Sequence, residues 1–236
     1  MRGGGAAAAV LAALVARPTS VVADPLRLRG DALASVQAPA GLIVLEAGED
    51  ALPWLDAEAL VWTGGGDRDH DGPTGDVLVM VVEVRDPAKR GSLRIGRHVV
   101  TAGALPPIHV DGASARARLP QRFELEAFGG LPVVPRLGPR SWDWVVGARV
   151  SRPVGAGRLG VAWMERREHG ALHTHEVAVD GGGRVRGVET AAGAAWELIG
   201  RGLAEVRGSA GKRWRAVRGD LFVTHRAPSH LLPATS

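Results

Sequence analysis

From Leu26 to Ala38 the even positions read Leu26, Leu28, Gly30, Ala32, Ala34, Val36 and Ala38, and the odd ones Arg27, Arg29, Asp31, Leu33, Ser35 and Gln37. A period of two sustained over that span is the pattern of a β-strand with one apolar and one polar face. The alternation recurs from Ala113 to Leu119, with Arg116 and Arg118 on the polar side, and from Arg122 to Phe128, with Glu124 and Glu126. It returns from Trp142 to Arg152 around Arg149, and from Trp196 to Arg207 with Glu197 and Arg201. Shorter runs over 93–100, 159–165 and 173–180 also fit strands, and Val77 to Val84 is apolar on both faces at its start. Turn chemistry lies between the runs, at Asp86-Pro87, Asp111-Gly112, Pro153 to Gly157, His169-Gly170 and Asp180 to Gly183. The spacing predicts an all-β protein, an antiparallel up-and-down meander of roughly ten to twelve strands forming a β-barrel or an incomplete barrel. Ala51 to Leu60 offers room for a short helix, opposed by Pro53 and by the alternation through Ala57, Ala59 and Val61. Pro132, Pro135 and Pro139 cannot donate ladder hydrogen bonds, so residues 131–139 are the candidate break between two halves of a domain spanning 24–226. Residues 227–236 read as a loop-like tail.

Each face must then be given a solvent. A soluble sandwich fills its apolar face with bulky aliphatic residues, whereas many apolar faces here are Gly and Ala. The polar faces set Arg against Glu and Asp. A membrane barrel accommodates both features, because lipid does not require bulk and opposite charges pair across strands around a polar lumen. Trp142, Trp144, Trp163, Trp196 and Trp214 stand near strand ends, where an interfacial belt places them. The residues expected to face the lumen are Arg27, Arg29, Asp31, Arg116, Arg118, Glu124, Glu126, Arg149, Glu197 and Arg201. A periplasmic or secreted β-sandwich that binds a partner is the alternative, and a secreted hydrolase the third reading.

Three segments carry a family resemblance: Leu93-Arg94-Ile95-Gly96-Arg97, Val110-Asp111-Gly112-Ala113, and Phe123 through Glu124, Glu126, Phe128 and Gly130 to Pro132. In style and order they resemble the strand, turn and strand sequence of Gram-negative outer-membrane β-barrels of the porin-like kind. The resemblance implies an outer-membrane location, contact with outer-membrane lipid, and a passive or structural, non-enzymatic role in which small polar solutes cross a lumen. Such barrels commonly finish on an aromatic residue. This chain finishes Leu231-Leu232-Pro233-Ala234-Thr235-Ser236, so a shortened member is the expectation.

The N-terminus supplies an address. Met1-Arg2 is followed by an apolar stretch from Ala6 to Ala16, a polar break at Arg17 to Ser20, and Val21-Val22-Ala23 before Asp24. This is the pattern of a secretory signal peptide cut after Ala23, and its apolar part falls short of the about 20 residues of a spanning helix. The 236-residue chain has 29 basic and 25 acidic residues, and cleavage removes Arg2 and Arg17, leaving 27 basic against 25 acidic in residues 24–236. A balance that even offers no electrostatic basis for nucleic-acid binding. The absence of Cys excludes a disulfide scaffold, thiol catalysis and Cys-ligated metal centres.

Candidate chemistry is sparse. Asp67, Asp69 and Asp71, followed by Gly72, match the first half of an acidic calcium loop, but the twelfth position holds Leu78 in place of Glu. No cofactor is expected, and Ca2+ at this loop is the one candidate beside a plain solvated Gly-rich loop. His169, His173, His175 and Glu176 form a second cluster, read as an exposed hairpin before a metal site. No nucleophile elbow, phosphate loop or dinucleotide fingerprint occurs. His98, His109 and His225 have no partner evident in the sequence, and a catalytic reading requires one of them to meet a Ser or a carboxylate in a cleft.

Overall fold

The alternating runs form thirteen β-strands in the computed structural model, which describes residues 26–33, 40–48, 53–64, 74–133, 143–215 and 217–227. They are β1 (Leu26–Leu33), β2 (Ala40–Gly48), β3 (Leu55–Gly64), β4 (Thr74–Arg85), β5 (Gly91–Val100), β6 (Ile108–Arg118), β7 (Glu124–Pro132), β8 (Trp144–Val154), β9 (Gly157–Glu168), β10 (Ala171–Val185), β11 (Val188–Glu197), β12 (Gly202–Trp214) and β13 (Val217–Arg226). They make one sheet in sequence order, every neighbour antiparallel. The expected meander is therefore the fold. With thirteen such strands β1 and β13 run in the same direction, and among the described residues no ladder joins them, so the sheet is open.

The two ends of the sheet differ. At one end strands reverse through residues 155–156, 186–187 and 215–216 and through the five-residue segments 86–90 and 119–123. The other end carries the longer connections 65–73, 101–107 and 133–143 together with the short turns 169–170 and 198–201. At the short-turn end Asp86 organises its turn: it accepts from the Arg90 guanidinium at 2.7 Å and from the Ala88 backbone N–H at 3.2 Å, which holds its carboxyl below the usual range.

Several local expectations are corrected by packing. Helical geometry, among the described residues, is confined to a 3₁₀ turn at Pro120–Arg122; the segment after Pro53 is the strand β3. Asp111-Gly112 lies inside β6 because the Arg97 guanidinium grips Asp111 at 2.7 Å and Gly112 lets the β7 backbone approach. Asp180 to Gly183 is the middle of β10. There the Leu159 side chain lies over Gly181, and Gly182 and Gly183 face close backbone on both flanking strands. The run Trp196 to Arg207 breaks into β11 and β12 across a turn at 198–201, where the Glu197 carboxylate accepts from the Ile199 N–H. The Pro-rich segment links β7 to β8, which pair directly, so the sheet runs on across it.

Alternation divides the sheet into two walls with an inverted distribution. On β8 the buried positions are Val145, Gly147, Arg149 and Ser151, while Trp144 and Val150 are exposed. On β9 Gly160, Ala162 and Met164 are buried, and Leu159 and Val161 are 58% and 59% exposed. The connection 101–107 folds onto the buried wall: Ala102, Ala104 and Leu105 pack with Val145, Ala162, Met164, Ala178, Ala195 and Ala204. Small residues on β9 to β12 are what leave space for that connection. Gly147 serves the same end, because a Cβ there would run into the Phe128 ring. Gly147→Val is expected to destabilise the fold by about 1–3 kcal/mol through displacement of that ring, checked by denaturant unfolding.

Candidate functional site

The inner wall is built from charged side chains one strand apart. Arg149, on β8, is 8% exposed. Its Nη1 donates to Glu126 on β7 at 2.7 Å, and its Nε and Nη2 form a two-point fork on Asp180 of β10 at 3.0 and 2.7 Å. To reach β10 the guanidinium crosses β9 at Gly160, where a Cβ would stand 2.8 Å from Nη2. Next along the wall Arg116 pairs with Glu124 at 3.1 Å and Glu126 at 3.6 Å, and Arg158 pairs with Glu124 at 2.8 Å. Arg94 stands 3.8 Å from Glu83. Toward the long-loop end the buried carboxylates Glu176, Glu197 and Glu205 gather, with Arg226 donating to Glu205 at 2.6 Å.

The connection 101–107 is fastened across this wall. An Arg207 Nη2 hydrogen donates to the Gly103 carbonyl, and Gly103, with φ +60, sits against Arg149 and Asp180. A cavity of about 230 Å³ remains beside it, lined by Glu83, Arg94, Ser114, Arg116, Glu126 and Phe128 among others. Arg207→Ala removes a charge-assisted hydrogen bond, so opening of residues 101–107 is expected to become easier by about 1.5–3 kcal/mol. That corresponds to roughly 10- to 150-fold faster amide exchange in the segment, measurable by hydrogen–deuterium exchange.

The outer wall is apolar between two polar rims. On β8 its positions run Trp144, Val146, Ala148, Val150 and Arg152. At the long-loop rim the Arg167 guanidinium lies 5.4 Å over the Trp144 ring, and the Trp163 Nε1–H donates to His175 at 2.7 Å. Arg97 is held there by Asp76 and Asp111 at 2.9 and 2.7 Å. At the short-turn rim Arg152 lies 5.1 Å over Phe123. The eight-residue step from Trp144 to Arg152 covers about 26 Å along a strand at about 3.3 Å per residue. On β9 to β13 the outer wall is hollowed over a volume of about 1180 Å³ floored by residues such as Gly181, Ala192, Ala194, Gly208 and Ala210.

Of the residues expected to line a lumen, Arg116, Glu124, Glu126, Arg149 and Glu197 stand together on the inner wall. Arg118 is opposite Glu124 in register and exposed at the short-turn end. Arg27, Arg29 and Asp31 are opposite Glu46, Val44 and Leu42 in backbone register, and their side chains are not described. Arg201 does not belong with them: it lies in the exposed turn after β11 with φ 49, because the strand expected to carry it ends at Glu197. Asp67, Asp69 and Asp71, the segment 1–23 expected to be a signal peptide, and most of the tail lie outside the described residues. Among the described residues no group of His, Asp and Glu is arranged to hold a metal. His175 faces outward to Trp163 while Glu176 is buried on the inner wall, so the cluster around His173 is divided between faces. Sequence reasoning missed Glu83, Arg94, Asp180, Glu205 and Arg207. Arg207 and Glu205 were visible on the polar side of their run, whereas Asp180 was masked by the glycines that follow it.

No family model matches this sequence, and no curated protein matches it either.

Proposed function

We propose that the chain is an exported outer-membrane β-barrel protein of the porin-like kind, which lets small polar solutes pass along a charged inner wall. The observation that carries the reading is the inverted amphipathicity of the sheet. Arg149, Glu124, Glu176, Glu197 and Glu205 are buried on one wall, while Leu159, Val161, Val179 and Leu221 are exposed on the other. A protein dissolved in water on all sides gains from the opposite arrangement. Lipid against the outer wall removes those side chains from water, and the aromatic and arginine rims then lie at the headgroup level. The three longest connections, 65–73, 101–107 and 133–143, leave the same end of the sheet, which fits the external side of such a barrel.

Passage along the inner wall is narrowed by the connection 101–107, fastened through Gly103 and Arg207. Paired Arg and Glu residues offer a solute both signs of charge, which suits small polar molecules and involves no lipid partner inside. The N-terminal segment 1–23 supplies the export signal in this reading. The test is membrane fractionation combined with gel mobility of heated and unheated protein in detergent, followed by conductance in a planar bilayer. Recovery with the outer membrane, heat-modifiable mobility and ion conductance are expected. Recovery in the soluble periplasmic fraction without a mobility shift would overturn the reading in favour of a soluble β-domain.

A further inference from the structure

The inner wall also carries a nucleophile and a base in contact. His98 on β5 is 1% exposed, and its Nδ1 lies 3.0 Å from the Gly96 carbonyl. A carbonyl only accepts, so Nδ1 carries the proton and the neutral ring presents a bare Nε2. That Nε2 lies 2.8 Å from the Ser114 Oγ on β6, so the serine hydroxyl donates to it. The contact is diagonal across the ladder. His98 is opposite Val110, and the two inward positions between His98 and Ser114 are Gly96 and Gly112, which present no side chain to block the ring. Ser114 lines the cavity of about 230 Å³, and His98 is buried and reaches that cavity through Ser114.

The third part is an electrophile. Arg94 is the direct cross-strand partner of Ser114 and lines the same cavity. Its Nε–H is shielded from solvent and makes no hydrogen bond, its nearest carboxylate being Glu83 at 3.8 Å. A buried donor left unsatisfied is costly unless something accepts from it. Arg116 lines the cavity too. The group therefore supplies parts that acyl transfer requires: a hydroxyl on a correctly protonated histidine, an orienting acceptor behind that histidine, and an unpartnered donor on the residue opposite the serine.

We propose that Ser114, His98 and Arg94 form a hydrolytic site in the inner wall, acting on small neutral carboxylic esters. Ser114 Oγ attacks the ester carbonyl while His98 Nε2 takes the hydroxyl proton, and the oxyanion that forms accepts from Arg94 Nε–H. The carbon–oxygen bond to the alcohol breaks as His98 returns the proton to the leaving alkoxide. Water then attacks the acyl-serine, giving its proton to His98 and releasing the acid as Oγ is reprotonated. The cavity is smaller than the roughly 300–1,000 Å³ of pockets for drug-sized ligands, which limits the acyl group to a few carbons. Arg94 and Arg116 are balanced there by Glu83 and Glu126, which favours an uncharged substrate.

The test uses the full chain refolded in detergent with diisopropyl fluorophosphate, whose phosphorus is attacked by an activated serine with loss of fluoride. Peptide mass spectrometry of the treated wild type is expected to place the adduct on Ser114, a readout that requires no variant. Hydrolysis of p-nitrophenyl acetate is expected, with p-nitrophenyl octanoate turned over at least about tenfold more slowly. Ser114→Ala and His98→Gln should each lower acetate hydrolysis by about 10²–10⁴-fold, and Arg94→Leu by about 10²–10³-fold, with strand content by circular dichroism unchanged. Absence of an adduct on Ser114 in folded wild type, or acetate hydrolysis undiminished in folded Ser114→Ala, would overturn the proposal. Neither outcome bears on membrane location, so failure here is distinct from failure of the barrel reading.

Discussion

Arg149→Ala is expected to lower stability by about 3–5 kcal/mol, the cost of breaking a buried ion-pair group by removal of one partner. The guanidinium is only 9% exposed and holds Glu126 and Asp180 at once. Without it two carboxylates on the inner wall lose their shared counterion, and Gly103 loses a neighbour that helps seat the 101–107 connection. Arg149→Lys retains the charge but cannot form the two-point fork on Asp180, so it should fall between wild type and Arg149→Ala. Neutralising the partners in the same background, as Arg149→Met with Glu126→Gln and Asp180→Asn, should recover most of the loss, since no charge is then left uncompensated. Urea unfolding followed by tryptophan fluorescence measures all three. A loss below about 1 kcal/mol for Arg149→Ala, the range of exposed pairs, would show that water already screens this group.

Placing a charge on the outer wall is the second large effect. Val161 is 59% exposed, opposite Val150 in register and bordering the apolar hollow of the outer wall. With lipid against that wall Val161→Arg should cost about 2–4 kcal/mol, as charged substitutions near a bilayer midplane do. In a water-facing sheet the same exposed substitution stays within about ±0.5 kcal/mol. Unfolding from lipid vesicles reads the difference, with Val161→Leu as the control that leaves the outer wall apolar. A neutral result for Val161→Arg in vesicles would remove the chief support for the barrel reading.

How much was legible in the sequence follows from what each pattern encodes. Period-two alternation is a local backbone property, so the runs around Arg116, Glu124 and Arg149 located their strands and faces correctly. Glycine and aspartate were harder, because the same residues make a turn or make room inside a sheet. Asp111-Gly112 and Asp180 to Gly183 look like reversals, yet both lie within strands where the glycines admit neighbouring backbone and the aspartates hold Arg97 and Arg149. Arg201 failed for the complementary reason. Alternation continues through residues 198–201, yet the chain reverses there, with the Glu197 carboxylate capping the Ile199 N–H and Arg201 at φ 49.

The site was less legible than the fold. His98 had no partner at any short spacing, and Ser114 stands sixteen residues away on the next strand. Their meeting depends on the β5–β6 register and on bare glycines at positions 96 and 112.

By itself the sequence determined that this chain is all-β, antiparallel and two-faced, because alternation and turn spacing are properties of neighbouring residues. Only the tertiary structure decided that the charged face is the buried one, that the connection 101–107 closes over it, and which charges and hydroxyls meet there. Those outcomes depend on sheet curvature and on register between strands, which sum over the whole sheet and leave no mark at any single position.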